Sequence, residues 1–391
     1  MMRPMSGDLK GVAAALDVLG DVWLERGELN KGEDFYRRSF ALRKTLDSKA
    51  DLAMSLWNLG HVLGHRGESD QIAEYFRQSL ALAEEVGDKR MMIASLRMLA
   101  GHHQSKGDLA HAEKLYAKIS QLEEDDDSQV GLGHTLHGLG YLAFQKGDLD
   151  RAEDLTRRAL DLLEKSSPAW SRGYVRLQLV EILLARNKTE DAAPFVNQLE
   201  NMAQQFPGPD LEIALLLAKA QLQLKRLQLA TALEYALQAK TRASEMPHLN
   251  LQNDATRLAI QTLLQMFLIT KEVQYKTQIT ALLLELEYLG KEYHLSAVLI
   301  ESMLLQGMLQ RGAYELRAAR EHFEAAQRQA EEHGLKMLEQ QATHELHQLQ
   351  DQLQVLRQLH ETSPQAYEQA HMSEMLSYLQ GIHRYLRKDD R

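Results

Sequence analysis

The sequence predicts an all-α fold, an α-solenoid of antiparallel helix pairs stacked side by side. Three observations carry that expectation. First, a pattern comes back every forty residues: Leu19-Gly20 with Gly27-Glu28, Leu59-Gly60 with Gly67-Glu68, Leu99-Ala100 with Gly107-Asp108, and Leu139-Gly140 with Gly147-Asp148. A fixed period of this kind marks a repeat architecture. Second, each small residue closes an apolar pair at i, i+3 (Leu16 and Leu19, Leu56 and Leu59, Leu96 and Leu99, Leu136 and Leu139), which is one face of a helix. Third, only 7 prolines among 391 residues leave long stretches free to be helical. A chain of this length exceeds one compact core, a limit that an array escapes because each unit packs only on its neighbours.

Helix A of each unit carries the apolar pair and then a small residue, Gly20, Gly60, Ala100 or Gly140. Glycine inside a helix costs about 1 kcal/mol, so three glycines in one row point to a second helix approaching closely. Seven residues on stand Gly27, Gly67, Gly107 and Gly147, with Asn187 in the fifth unit; this is the left-handed position that ends a helix. The acidic residue that follows (Glu28, Glu68, Asp108, Asp148) suits the positive end of the next helix. Leu227 takes the turn row in the sixth unit. A branched residue disfavours positive φ, so that turn is expected to differ. Helix B shows a small or aliphatic row, Gly32, Ile72, Ala112, Ala152, Ala192 and Ala232. Three residues on comes a larger row, Phe35, Tyr75, Leu115, Leu155, Phe195 and Tyr235, expected to make the contact between helices A and B.

These rows resemble the tetratricopeptide repeat (TPR). The resemblance implies a right-handed α-solenoid, a TPR-like superhelix. The usual unit has 34 residues, so a forty-residue unit is longer by about one and a half turns. It is like the subclass found in polarity scaffolds and bacterial signalling regulators. Six units over residues 8–246 carry the pattern. The phrases Gly7-Asp8-Leu9-Lys10 and Val86-Gly87-Asp88-Lys89 look like connectors of that subclass. Because the first stands near the start, the array is expected either to continue upstream in a longer protein or simply to begin there. Ser166-Ser167-Pro168, Phe206-Pro207-Gly208-Pro209 and Met246-Pro247 make sharper breaks.

After residue 250 the register slips. Ile260 holds the small-residue row and the next match is Gly307, with Phe323 following. Two divergent helical-hairpin units are expected over 247–333, the first lengthened around Leu263–Leu289. Residues 334–391 read as atypical C-terminal capping or oligomerisation helices. Leu335, Leu338, Ala342, Leu346, Leu349, Leu353 and Leu356 form one stripe. Thr362-Ser363-Pro364 ends it, and a last helix is expected over 366–387. The pair closes the core or forms a homodimer seam.

The resemblance further implies a concave groove lined by helix A. Carried row by row, its lining includes Asp17 and Asp21 in unit one and Trp57, His61 and His65 in unit two. Arg97 comes from unit three, His134, His137, Tyr141 and Phe144 from unit four, and Tyr174 from unit five. Aromatic side chains are typical peptide anchors, so Trp57, Tyr141 and Phe144 are the candidates, with Arg97 as the anion contact. Ordinary inter-helix packing accounts equally for Trp57 or Phe144. The rows lack the lysine and asparagine of family members that clamp a terminal carboxylate, which puts such a clamp in doubt. His61 with His65, and His134 with His137, have spacings that can hold zinc with a third ligand. None is supplied locally, so no metal is expected. The histidines remain either plain polar lining or a groove that gains charge as pH falls.

Other classes are excluded. Without cysteine there is no disulfide, thiolate metal site or cysteine nucleophile. A net charge of -10 argues against a nucleic-acid duplex and against anionic membranes. No long apolar run or signal peptide is present, so a cytoplasmic location is expected. The run Glu123-Glu124-Asp125-Asp126-Asp127 reads as a solvated connector. Gly131-Leu132-Gly133 lacks the third glycine of a dinucleotide fingerprint, and no phosphate loop or nucleophile elbow occurs. No enzyme activity or cofactor is expected. The expected role is a protein–protein interaction scaffold that binds a peptide segment of a partner. The alternative is a regulatory or sensor module of a larger signalling or transcription-control protein, taking a short peptide or small molecule.

Overall fold

The structure, a computed structural model, describes residues 6–362 apart from 27, 47, 67–68, 124–128, 166 and 246–248. The turn glycines Gly27 and Gly67, most of the acidic run and the last expected helix at 366–387 lie outside the described residues. Among the described residues there are seventeen helices and no strand. They fall into two compact units, residues 1–259 and 260–391.

In the first unit, α1 (Ser6–Glu25) pairs with α2 (Leu29–Lys44), α3 (Lys49–Arg66) with α4 (Ser69–Val86), and α5 (Lys89–Ser105) with α6 (Leu109–Glu123). α7 (Gln129–Gln145) pairs with α8 (Leu149–Leu163), α9 (Ala169–Ala185) with α10 (Thr189–Gln205), and α11 (Pro209–Lys225) with α12 (Leu229–Glu245). The forty-residue period is visible in the backbone: α5, α7, α9 and α11 begin at 89, 129, 169 and 209. Successive A helices touch from α3 to α11, which makes one α-solenoid of antiparallel pairs. α13 (Leu249–Thr270) carries the boundary between the two units.

The small row of helix A does admit helix B, but through a different partner. A Cβ on Gly20 would stand 2.6 Å from Tyr36, and one on Gly60 2.9 Å from Phe76. At Gly140 it would meet Thr156 at 2.5 Å. Tyr36, Phe76 and Tyr116 are buried, whereas Phe35, Tyr75 and Leu115 are only half-buried. The expected contact row is therefore displaced by one residue. Positions i+3 and i+4 from the small row of helix B flank the same direction, and the angle at which the helices cross decides which points inward.

The turns close alike. Gly107 (φ 79), Gly147 (φ 77) and Asn187 (φ 58) are left-handed. In each, the amide after the left-handed residue donates back to helix A, as Asp108 N–H does to the His103 carbonyl at 2.8 Å. The expected departure at Leu227 does not occur. Leu227 takes φ 59, and Gln228 N–H donates to the Gln223 carbonyl at 2.9 Å. The flanking helix packing imposes the turn, and the side chain, 72% exposed, meets no clash beyond its own backbone strain. Gly7-Asp8-Leu9-Lys10 also differs from expectation, lying within α1 rather than in a connector.

In the second unit, the end of α13 and α14 (Val273–Glu292) precede the pair α15 (Ser296–Gly312) and α16 (Leu316–Glu332), followed by α17 (Lys336–Thr362). Gly307 opposes Phe323, where a Cβ would come within 2.5 Å. Ala342 and Leu349 of α17 are buried, and so is Glu345. Its carboxylate meets Arg311 at 2.8 Å, and burial raises its pKa against the pull of that cation. No helix among the described residues is long and apolar enough to cross a membrane.

Candidate functional site

The residues assigned to helix A rows separate into groups once placed. Asp17 leaves the lining. Its carboxylate is buried and meets Arg43 at 2.5 Å, and Arg43 also donates to Ser55 Oγ at 3.1 Å. The pair joins α1, α2 and α3. Burial raises the Asp17 pKa despite its partners, among them Ser39 and Arg43. Asp21, one turn on, is exposed and accepts from the Tyr36 hydroxyl at 2.6 Å.

Trp57 and His61 stack at 5.0 Å between ring centroids with planes 9° apart, and Trp57 tilts against Phe76. The indole Nε1 is buried and has no hydrogen-bond partner among the described residues. His65 lies in α3, but its side chain is outside the described residues. Forty residues from Trp57, in the same row, Arg97 repeats the feature: its Nε is buried without an acceptor. Burial lowers the Arg97 pKa, while Glu123 and Tyr116 act on it in the opposite direction through space. Arg97 in turn acts on His134, and His134 on His137, so these three do share one neighbourhood. Burial, with those charges adding to it, pushes both imidazoles down to about 4. They stay neutral at physiological pH, and the reading of them as a switch near pH 6–7 is set aside.

Tyr141 is exposed and Phe144 half-buried, both on α7. Tyr174 donates to Asp210 Oδ1 at 2.8 Å. Burial and the charges of Asp210 and Asp254 raise its pKa well above the usual phenol value. Polar contacts also link α9 to α11 and to α13. Gln221 donates to Glu181 at 2.8 Å, and Arg257 meets Asp254 at 3.1 Å and Glu181 at 3.9 Å. Counting three and six residues back from Ile260 finds Arg257 and Asp254, so the signal was present in the period.

Away from these rows, a cavity of about 650 Å³ is bordered by Arg157, Leu160, Glu164, Arg176, Phe195 and Met202. Two of its cations are ion-paired, Arg176 to Glu164 at 2.6 Å and Arg157 to Glu153 at 2.9 Å. Among the described residues, His103, Asp108 and His111, at the turn of unit three, form a group of three potential metal ligands.

Paired helices of fixed period, joined by tight left-handed turns, define a protein of the tetratricopeptide-repeat class. Within that class, the MalT-like TPR region family matches residues 47–266, more than half of the chain, and the chain belongs to that family. No curated protein matches it by sequence. Among solved structures it is similar to a Rap protein complexed with Competence and Sporulation Factor, with TM-score 0.54 and 11% identity over 87% of this chain and 98% of that one. It is also similar to PH0952 of Pyrococcus horikoshii, a STAND protein with a tetratricopeptide repeat sensor. There the TM-score is 0.50 and the identity 12%, over 78% of this chain and 44% of that one. At such identities the likeness is one of fold.

Proposed function

We propose that this chain is a non-enzymatic interaction module whose helix A face holds a peptide segment of a partner protein. The observation that carries the reading is the row of Trp57 and Arg97. Two donors in adjacent units, one indole and one guanidinium, lack acceptors among the described residues. A buried donor left unmade costs about 1–3 kcal/mol, which is recovered when a ligand brings the acceptor. Beside Arg97 stand imidazoles held neutral, which do not compete for an anion. Tyr141 offers an exposed aromatic surface on the same row system. The partner chemistry this fits is a peptide with an acidic side chain flanked by apolar residues. A protein of similar fold, the Rap protein, is complexed with Competence and Sporulation Factor, which supports a bound factor here.

A peptide array probed with the purified chain tests this. Retained sequences should be enriched in Asp or Glu beside apolar residues. Arg97→Gln should weaken their binding at least about tenfold, ~1.4 kcal/mol, and Trp57→Ala similarly, with helical circular dichroism unchanged. Equal binding by both variants would remove the proposed row from the site. The second reading, a sensor module of a larger regulator, is favoured by the family match and by the repeat sensor of PH0952. A continuous upstream reading frame encoding an ATPase or DNA-binding domain would support it.

A further inference from the structure

The turn of unit three differs from its counterparts in one respect. The two rows that face each other across it hold Trp23 and Lys31 in unit one, Leu63 and Gln71 in unit two, Ala143 and Arg151 in unit four, and Leu183 and Asp191 in unit five. That the rows meet is visible in unit one, where Lys31 Nζ lies over the Trp23 ring at 4.3 Å. In unit three both positions are histidine, His103 and His111, and their rings stack at 5.3 Å.

Asp108 contacts both rings. His103 Nδ1 lies 3.1 Å and His111 Nδ1 2.7 Å from the same carboxylate oxygen, Oδ2. The other oxygen, Oδ1, accepts from the His111 backbone N–H at 3.2 Å, capping α6. The cap fixes the carboxylate and aims Oδ2 at the two imidazoles. The backbone is fixed as well, by the left-handed Gly107 and the bond from Asp108 N–H to the His103 carbonyl. Against the cost of its partial burial, hydrogen bonds from His111 and His103 hold the Asp108 carboxyl below its usual range.

We propose that His103, Asp108 and His111 bind a divalent transition-metal ion, zinc foremost. Imidazole with carboxylate is a ligand set that zinc accepts, commonly as three protein ligands and a water. Donors at about 2.0–2.1 Å from a tetrahedral ion are about 3.3 Å apart. The three candidate ligand atoms already lie within 4.8 Å of one another, two of the gaps being 3.1 and 2.7 Å. Small side-chain rotations about a fixed carboxylate therefore open the space for the ion. The His111 side chain is 61% exposed, which gives the ion a way in and leaves room for the water. The bound ion joins the end of α5 to the start of α6 and clamps that turn. The site is separate from the Trp57–Arg97 row and stands whether or not that row binds a peptide.

The test is calorimetric titration of the chelator-treated full chain with zinc chloride, together with the visible spectrum of its cobalt(II) form. One equivalent should bind, with the intense d–d bands of low-coordinate cobalt. Asp108→Asn should keep the helix cap, because asparagine caps as well as aspartate, and yet weaken zinc at least about tenfold, the loss that even outer partners of a ligand produce. His111→Gln, at an exposed position, should do the same and carries the test if the first variant melts early. The absence of zinc heat in the wild type, or equal affinity in both variants, overturns the proposal. The second of those outcomes would place the ion on other histidines.

Discussion

Burial holds the imidazoles of His134 and His137 neutral down to about pH 4, whereas an unfolded chain protonates them near 6.5. Their folded pKa lies below the unfolded one, so between those values the unfolded state takes up protons that the folded state refuses. Stability should therefore fall as pH drops from about 6.5 toward 4, by up to about 3 kcal/mol for each ring, and be unaffected by these groups above that window. Urea midpoints of the wild type and of His134→Gln/His137→Gln, compared at several pH values across it, check this. The wild type should lose more on acidification; parallel losses would mean that the two rings reach water. The histidine spacing was legible in the sequence, but the environment was not. A ring on a helix face titrates near its free value or far below it according to what the next unit lays over it.

At the scale of one helix, α3 contains its own control. A Cβ at Gly60 would meet Phe76 at 2.9 Å, and one at Gly64 meets nothing within 4 Å. Gly60→Ala forces apart α3 and α4 at a fully buried ring, which costs about 1–3 kcal/mol. The gain in helix propensity, about 1 kcal/mol, offsets part of it. Gly64→Ala keeps only the gain. Thermal midpoints should thus move in opposite directions for two identical substitutions one turn apart. A rise in both would show that the close approach at Gly60 is not needed. That the small row marks an interhelical contact could be read from the period. That the opposing ring is Phe76 and not Tyr75 could not, since i+3 and i+4 are equivalent until the crossing angle is known. The turn at Leu227 teaches the converse: local preference argued against a left-handed leucine, and the packing of α11 on α12 overrode it.

Over the whole molecule, stability in such an array is a sum over neighbouring repeats. The damage done by Gly60→Ala should consequently stay near its source. Native-state hydrogen exchange should lose protection in α3, α4 and the helices touching them, while α11 and α12 keep theirs. Uniform loss along the chain would indicate a single cooperative core instead. The same locality would let the proposed metal site in unit three and the proposed ligand row on the A helices act independently.

Forty-residue recurrence, apolar pairs and punctuating glycines determined the helix pairs and their order, because these features depend on spacing within one segment. They also brought Trp57 and Arg97 into one row, since equivalent positions of stacked units align. Tertiary packing alone decided the rest. It withdrew Asp17 into a pair with Arg43, neutralised two histidines, and brought His103 and His111 to one oxygen of Asp108. The physical reason is common to all three: charge state and ligand geometry depend on what approaches from another helix, and a period records that an approach occurs without recording which atoms meet.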